Sequence, residues 1–203
     1  MRQIYPDLWE TTVENPAPGL YTHAYLWINN KGNVLFYNTG HKNDIEKMSD
    51  LGGVAYQYLS HQDELGETLL FIRERFGAKL AGHIREQPEF ARFIQPDILL
   101  EHREVHLDSI EVIPTPGHTP GSTSFLVKSE LGKSYLFTGD SIYLTKQGEW
   151  RGGFIPGYSD KKTLGESLAL LQTLDPNLVI CSGFEGGKSF QEMQPGEWAR
   201  HVE

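Results

Sequence analysis

The sequence predicts an α/β fold in which layers of sheet are covered by helices, and three observations support this prediction. Short apolar and β-branched runs dominate the first part of the chain, helical periodicity appears between later runs, and glycine and proline separate the elements. Strands that come first, with helices interleaved later, favour a layered sandwich over a helical bundle or an all-β barrel. The 203 residues contain no repeat or low-complexity linker, so we expect one domain over residues 1–203.

The first elements are predicted to be strands, followed by a helix. Residues 20–38 should form a hairpin that turns at residues 30–32, because aromatic and β-branched residues fill both arms. Residues 54–59 should form a further strand. The helix after it has apolar residues at spacings of 4, 3 and 4, and Gly77 is placed to end it. These apolar residues are Leu65, Leu69, Ile72 and Phe76.

The second half of the chain alternates strands with one clear helix. A strand over residues 109–115 precedes a hairpin over residues 123–138, which turns at residues 131–132. Asp160 is placed to cap a helix that ends before Pro176. The apolar stripe of this helix consists of Leu164, Leu168 and Leu171, and a strand over residues 178–181 follows.

The composition excludes several classes of function. Acidic residues outnumber basic ones by 27 to 18, and the resulting net charge of −9 argues against a nucleic-acid partner. The apolar runs are short, such as residues 69–72, so we expect no membrane span and no targeting segment. The single cysteine, Cys181, cannot form an internal disulfide, which favours a cytoplasmic location. A small-molecule substrate is the expected partner, and homo-oligomerisation stays open.

Three short segments place ligand-type side chains directly after predicted strands, where loop residues are held by a rigid scaffold yet stay accessible. They are residues 61–64 (His-Gln-Asp-Glu), residues 116–121 (Pro-Gly-His-Thr-Pro-Gly) and residues 138–140 (Thr-Gly-Asp). Prolines and glycines flank His118 so closely that neither helix nor strand can continue, which fixes the position of its imidazole. Gly139 lets the chain bend after an apolar strand and delivers Asp140 at the strand end.

These segments resemble the motifs of the metallo-β-lactamase superfamily of hydrolases, and the resemblance extends over nearly the whole chain. Residues 25–40 are similar to the family's first hairpin and its Asp-Thr-Gly turn, with Asn38 in place of the aspartate. Leu-Ser-His-Gln-Asp-Glu at residues 59–64 falls where the family has His-x-His-x-Asp-His. The remaining matches are residues 115–122 with its Pro-Gly-His-Thr-Pro-Gly-Ser motif, residues 138–140 with its Gly-Asp turn, and residues 182–184 with its late Gly-His.

The resemblance implies a four-layer αβ/βα sandwich with a metal site between the loop ends of its two sheets. Carried over by position, the ligand set falls on His61, His118, Asp63, Glu64 and Asp140, with Leu59 and Phe184 at the two remaining histidine positions. Neither leucine nor phenylalanine can donate an electron pair to a cation. We therefore expect a degenerate site in place of the family's dizinc centre.

Coordination chemistry limits what this set can bind. Two imidazoles and a carboxylate, from His61, His118 and Asp140, suffice for one zinc with a bound water. The same donors suit iron, whereas the oxygen donors Asp63 and Glu64 favour a hard ion such as Mn²⁺ or Mg²⁺. One divalent metal is expected, zinc or else iron or manganese, and a protein without metal is the remaining alternative. Zinc would lower the pKa of its water to about 7, and Asp63 would be catalytic by orienting that water or moving its proton.

Simpler interpretations compete at several positions. The carboxylates of residues 63–64 could instead cap the following helix, since acidic groups are favoured in a first helical turn. Residues 149–154 form either a packed surface loop or a substrate lid, in which Trp150 and Arg151 would bind substrate. Phe184 either fills the metal site with apolar bulk or provides an apolar wall for a substrate.

The leading hypothesis is a metal-dependent hydrolase with a reduced, mononuclear site that cleaves a small ester, thioester or related substrate through a metal-bound hydroxide. The rival is a catalytically inactive member of the fold, retained as a binding or oligomerising module. Iron-dependent oxygen chemistry is a third alternative. A phosphate-binding loop at residues 183–189 is disfavoured, because three residues separate Gly183 from the Gly-Lys pair where four are required.

Overall fold

Two large β-sheets pack face to face in the computed structural model, which describes residues 1–202. In chain order the first nine strands are β1 (Arg2–Tyr5), β2 (Leu8–Glu10), β3 (Glu14–Ala17), β4 (Leu20–Thr22), β5 (Tyr25–Trp27), β6 (Val34–Phe36), β7 (Tyr56–Tyr58), β8 (Lys79–His83) and β9 (Ile98–Leu100). The next nine are β10 (Glu104–His106), β11 (Ile110–Pro114), β12 (Thr123–Lys128), β13 (Ser134–Gly139), β14 (Ile142–Leu144), β15 (Trp150–Gly152), β16 (Leu178–Cys181), β17 (Gly183–Phe184) and β18 (Phe190–Glu192). The helices are α1 (Lys42–Lys47), α2 (Thr68–Phe76), α3 (Gln87–Phe90) and α4 (Lys161–Gln172).

Both large sheets mix parallel and antiparallel pairs. The first has the strand order β1-β2-β5-β6-β7-β8-β9, in which the last four strands run parallel. The second has the order β10-β11-β12-β13-β16-β18, in which β13 and β16 form the parallel pair. Strands β17-β4-β3 and β14-β15 form two smaller sheets.

The main core lies between the two large sheets. Phe36 of β6 stacks on Phe137 of β13 with ring centroids 4.0 Å apart, and Tyr58 and Phe125 pack around them. Because side chains alternate along a strand, Leu136 points to the opposite face of the second sheet, into a separate apolar cluster. The central strands are therefore buried on both faces, which explains their continuous apolar runs.

Helices supply the outer layers. Leu171 of α4 packs in the cluster on the outer face of the second sheet. Leu69 of α2 and Phe90 of α3 pack against Leu80 of β8 on the first sheet. These layers confirm the predicted αβ/βα sandwich. Within residues 1–202, no helix has both the length and the apolar character needed to cross a bilayer.

The predicted first hairpin is only partly present. Tyr25–Trp27 and Val34–Phe36 pair antiparallel as expected, but Leu20–Thr22 pairs with β3 and β17 in a small separate sheet. The chain changes sheet near Ala24, whose N–H donates to Oγ1 of Thr11 at 2.9 Å. The prediction of one continuous arm was wrong, because both pieces have strand-like sequences and a change of sheet leaves no local signal.

The later elements agree more closely with the predictions. Strands β11 and β16 lie within the predicted ranges, and the β12–β13 hairpin extends one residue beyond its predicted end, to Gly139. Asp160 caps α4 as expected, since its side chain accepts a hydrogen bond from the Thr163 N–H at 2.7 Å. Helix α2 ends at Gly77 but begins at Thr68, later than Leu65, because residues 62–64 form a separate 3-10 turn.

Candidate metal centre

The predicted ligand residues lie on loops from both large sheets. His61 comes three residues after β7 of the first sheet, with extended backbone (φ −167°, ψ 170°). His118 lies in the turn between β11 and β12, and Asp140 follows β13 directly, both in the second sheet. The centre therefore depends on how the two sheets pack against each other.

Gly139 allows the two loops to come this close. Its φ of 55° lies in the left-handed region, and a Cβ atom there would lie 2.3 Å from Oγ of Ser60. Any side chain at this position would push the β13 loop away from the β7 loop. The glycine that follows the apolar strand therefore places Asp140 beside His61.

Four side chains converge at the centre. His61, Asp63 and His118 each offer one ligand atom, and these atoms all lie within 4.8 Å of one another. Oδ2 of Asp63 is 3.4 Å from Nε2 of His118 and 3.7 Å from Nε2 of His61. Oδ2 of Asp140 is 3.5 Å from Nε2 of His61 and 4.0 Å from Nε2 of His118. Two donors on one tetrahedral zinc, each at roughly 2.0–2.2 Å, would be about 3.4 Å apart, so the spacing is close to what one ion requires.

Hydrogen bonds orient both imidazoles with Nε2 toward the carboxylates. Nδ1 of His118 donates to the Gly153 carbonyl at 2.6 Å. Nδ1 of His61 lies 2.9 Å from Oγ of Ser60, which itself donates to Oε1 of Glu64 at 2.5 Å and so accepts from the ring. A metal ion binds the neutral imidazole, and with Nδ1 as the donor on each ring the lone pair of the neutral form would be on Nε2, the arrangement expected of metal-ligating histidines.

Neither Nε2 atom has a hydrogen-bond partner within the described part of the chain, although both are buried. The His61 and His118 residues are only 2% and 3% exposed. A buried polar atom left unpaired costs about 1–3 kcal/mol, and such atoms are rare unless something fills the gap. Two of them facing two carboxylates fit a divalent metal ion.

The charged groups at the centre shift one another's pKa values. Burial raises the pKa of Asp140, but the charges of His61 and His118 and the Gly183 N–H outweigh burial and lower it to about 2. Burial also raises the pKa of Asp63, and His118 and His61 again outweigh it, so its pKa is lowered. Burial lowers the pKa of His61, but Asp140 and then Glu64 raise it well above its usual range.

Glu64 occupies a different position from the one implied by the family pattern. Its carboxylate accepts the Ser60 N–H at 2.8 Å and the Ser60 hydroxyl at 2.5 Å. Oε1 also lies 3.4 Å from Nδ1 of His61, the ring nitrogen that faces away from the other carboxylates. Glu64 therefore contacts Ser60 and the Nδ1 side of the His61 ring, outside the group of His61, Asp63 and His118 that could hold an ion, and its role as a metal ligand stays a prediction.

The two apolar residues at histidine positions pack into apolar clusters. Leu59 packs with Leu69, Leu80 and Phe90 beneath the helices of the first sheet. Phe184 stacks on the ring of His23, with centroids 5.4 Å apart and planes at 10°, and it also contacts Tyr21. Phe184 also lines a cavity of about 700 Å³ together with His23, Glu10 and Lys146.

The predicted lid residues separate into one buried and one exposed side chain. Residues 150–152 form a strand, so alternate side chains point in opposite directions. Trp150 is buried, packs edge-on against Trp198, and donates from Nε1 to Gln191. Its indole is a core group, and this burial argues against the predicted contact with substrate. Arg151 is exposed and pairs with Glu149 at 3.0 Å.

Two further residues next to the centre, Tyr158 and Glu86, lie outside the three motif segments. The Tyr158 hydroxyl donates to Asp63, and the buried carboxylate of Glu86 accepts the Gly121 N–H at 3.0 Å and the Thr119 hydroxyl. Burial raises the pKa of Glu86. Glu86 thereby anchors the turn that carries His118. Sequence spacing could not identify either residue, because each lies more than 30 residues from its partner.

The fold has many counterparts among solved structures. ETHE1 from Myxococcus xanthus superposes with a TM-score of 0.69 at 19% identity, covering 91% of this chain and 79% of that one. A metallo-β-lactamase family protein from Thermus thermophilus gives 0.68 at 18% identity, covering 98% and 78%. A Cronobacter sakazakii metallo-β-lactamase with an HARLDQ motif gives 0.66 at 16% identity, covering 85% and 78%. At these identities the similarity shows the fold.

The sequence itself matches a family profile. The profile described as the Metallo-beta-lactamase superfamily covers residues 40–183, a span that includes the three motif segments. The match agrees with the sandwich and with the position of the candidate metal centre at its loop ends. The chain belongs to the metallo-β-lactamase superfamily of metal-dependent hydrolases.

Proposed function

We propose that the protein is a hydrolase with a mononuclear centre, in which His61, His118, Asp63 and Asp140 hold one divalent metal ion. The observation that supports this most directly is the pair of buried Nε2 atoms without partners, which face two carboxylates. A bound ion would supply Lewis acidity and activate water for attack on an acyl carbon. A nitrogen- and oxygen-donor set of this kind favours zinc, with iron or manganese as competitors.

The proposal of a single ion follows from the donors that are missing. Leu59 and Phe184 offer no electron pair and pack in apolar clusters. Glu64 is engaged by Ser60 on the far side of the His61 ring. A second ion would have to share carboxylates that already face the first.

The two carboxylates suit different tasks. The Asp140 side chain is 23% exposed and its Oδ1 accepts the Gly183 N–H at 2.7 Å, so it is a fixed ligand. The Asp63 side chain is 43% exposed and reaches solvent. We assign Asp63 the additional task of accepting the proton from the attacking water and passing it to solvent or to the leaving group.

The expected substrate is a small ester, thioester or related acyl compound with an apolar group. Phe154 and Ile155 are exposed on the loop whose Gly153 carbonyl binds His118. Exposed apolar side chains on a loop that contacts His118 would bind the apolar part of a substrate. Substrate contacts by Phe184 and Arg151 stay predictions, because the cavity that Phe184 lines includes none of the four proposed ligands and the exposed Arg151 pairs with Glu149.

The first experiment is metal analysis by inductively coupled plasma mass spectrometry, on protein purified without chelator or affinity metal. We expect close to one equivalent of metal in the parent protein and its loss in His118→Ala. The control is His102→Ala, which removes an exposed histidine far from the motifs. Hydrolysis of short-chain p-nitrophenyl esters and acyl thioesters should depend on the same ion. Absence of metal from the parent protein would refute the proposal and favour a non-catalytic binding module.

A further inference from the structure

Tyr158 contacts the candidate centre from outside the family motifs. Its hydroxyl donates to Oδ1 of Asp63 at 2.5 Å and accepts a hydrogen bond from Nε2 of Gln62 at 2.9 Å. Among residues 1–202, it is the one hydrogen-bond donor to the Asp63 carboxylate, and the two histidine rings face the other oxygen, Oδ2. The two oxygens of Asp63 therefore have separate partners.

Asp63 needs such a partner because packing does not hold it. Its side chain is 43% exposed, and the short turn over residues 62–64 has no side-chain cap. A carboxylate in this position can rotate about its side-chain bonds. The hydrogen bond to Oδ1 fixes the rotation that directs Oδ2 to the two imidazoles.

The loop that carries Tyr158 is itself tied to the His118 turn. The Gly153 carbonyl accepts from the His118 ring, and Oγ of Ser159 donates to the His118 carbonyl at 3.0 Å. The Asp160 N–H donates to the Gly117 carbonyl at 2.8 Å. A Cβ at Gly153 would lie 1.7 Å from the Asp140 carbonyl oxygen, so the loop also packs closely on the third ligand segment. Tyr158 is thus held in a fixed place relative to His118 and Asp140.

We propose that Tyr158 is a positioning residue that holds Asp63 as a single-oxygen donor, with Oδ1 engaged by the phenol and Oδ2 directed to the metal. This inference rests on the proposed metal centre. A carboxylate that bound through both oxygens would occupy one more coordination position. By engaging Oδ1, Tyr158 keeps that position free for water or for the substrate carbonyl.

Cobalt(II) substitution tests this directly, because its visible absorption weakens as the coordination number rises. We would titrate Co²⁺ into the parent protein, Tyr158→Phe and the control Tyr5→Phe, which removes a tyrosine–carboxylate hydrogen bond to Glu192 far from the centre. Tyr158→Phe should weaken the visible bands and lower metal affinity about tenfold, the lower end for residues that orient a ligand. Tyr5→Phe should match the parent protein.

A double-mutant cycle separates positioning from a general structural effect. If Tyr158 acts through Asp63, then Tyr158→Phe should not change Co²⁺ affinity further in an Asp63→Ala background. An equal loss in both backgrounds, or a single variant identical to the parent protein, would overturn the inference and leave the metal centre intact. A parent protein that binds no Co²⁺ would overturn the proposed function, and this inference with it. Tyr158 is 44% exposed, so the substitution should not impair folding.

Discussion

The turn that contains His118 and strand β17 each correspond to a ligand position in the family pattern. This chain has a histidine at the first position and a phenylalanine, Phe184, at the second. At His118 a buried imidazole keeps an unpaired nitrogen that faces carboxylates. At Phe184 an aromatic ring stacks on His23 within an apolar cluster. Both residues are almost completely buried. The fold therefore accommodates either a metal-donor side chain or an apolar side chain at these positions, and a buried polar atom without a partner marks the position where a ligand is expected.

The largest effect should come from His118→Ala, which tests the donor side of this comparison. Removal of one imidazole leaves two carboxylates and one histidine. Loss of a residue that only orients a ligand lowers metal affinity by up to about 100-fold, so loss of a ligand itself should lower it by at least that much. Metal-dependent turnover should disappear with it. Isothermal titration with Zn²⁺ measures the affinity, and unchanged affinity would remove His118 from the ligand set.

Phe184→Ala tests the packing side, and here stability should change more than metal binding. The side chain is 2% exposed, so its truncation should cost about 3 kcal/mol of unfolding free energy. Metal content should stay at the parent value. Urea denaturation in the presence of chelator gives the first quantity and mass spectrometry the second. Loss of metal without loss of stability would show that Phe184 belongs to the metal centre.

Acid titration of the protein after metal removal should reveal how much the ionised Asp140 carboxylate contributes to stability. The pKa of Asp140 is about 2 in the folded protein against a usual value of 3.8. A lowered folded pKa means that the ionised carboxylate stabilises the fold above pH 4 and that this contribution is lost as the pH falls toward 2. The loss is on the order of 2 kcal/mol. Relative to the parent protein, Asp140→Asn should therefore show a flatter fall in unfolding free energy between pH 5 and pH 2.

The smallest of these effects is expected from Glu64→Ala. This change removes the acceptor of the Ser60 hydroxyl, so Ser60 could then donate to Nδ1 of His61 and favour the wrong tautomer. Metal affinity should fall about tenfold, as for other groups that orient a ligand. Ser60→Ala should have a similar effect through the same path. A loss as large as that of His118→Ala would instead indicate that Glu64 contacts the metal.

Local sequence patterns were sufficient to predict the layered sandwich, the three strand-end segments and the helix and strand ranges from β11 to β13 and from α4 to β16, apart from β14 and β15. They gave no range for β1, β2, β8 or β18. The predicted features follow from local patterns, because alternation, helical periodicity and glycine–proline punctuation report directly on neighbouring residues. Asp160 capped its helix as predicted for the same reason. Family resemblance then added which of the segments would meet.

The partners of the individual side chains at the centre became visible only in the folded structure. Tyr158 reaches Asp63 across 95 residues of chain, and Gly153 reaches His118 across 35. Phe184 stacks on the ring of His23, and Glu64 accepts a hydrogen bond from the Ser60 hydroxyl. Such contacts depend on how loops from different sheets pack against each other, whereas spacing along the chain reports only on a residue's own element. The type of site could therefore be predicted from the sequence, but the position of each donor could not.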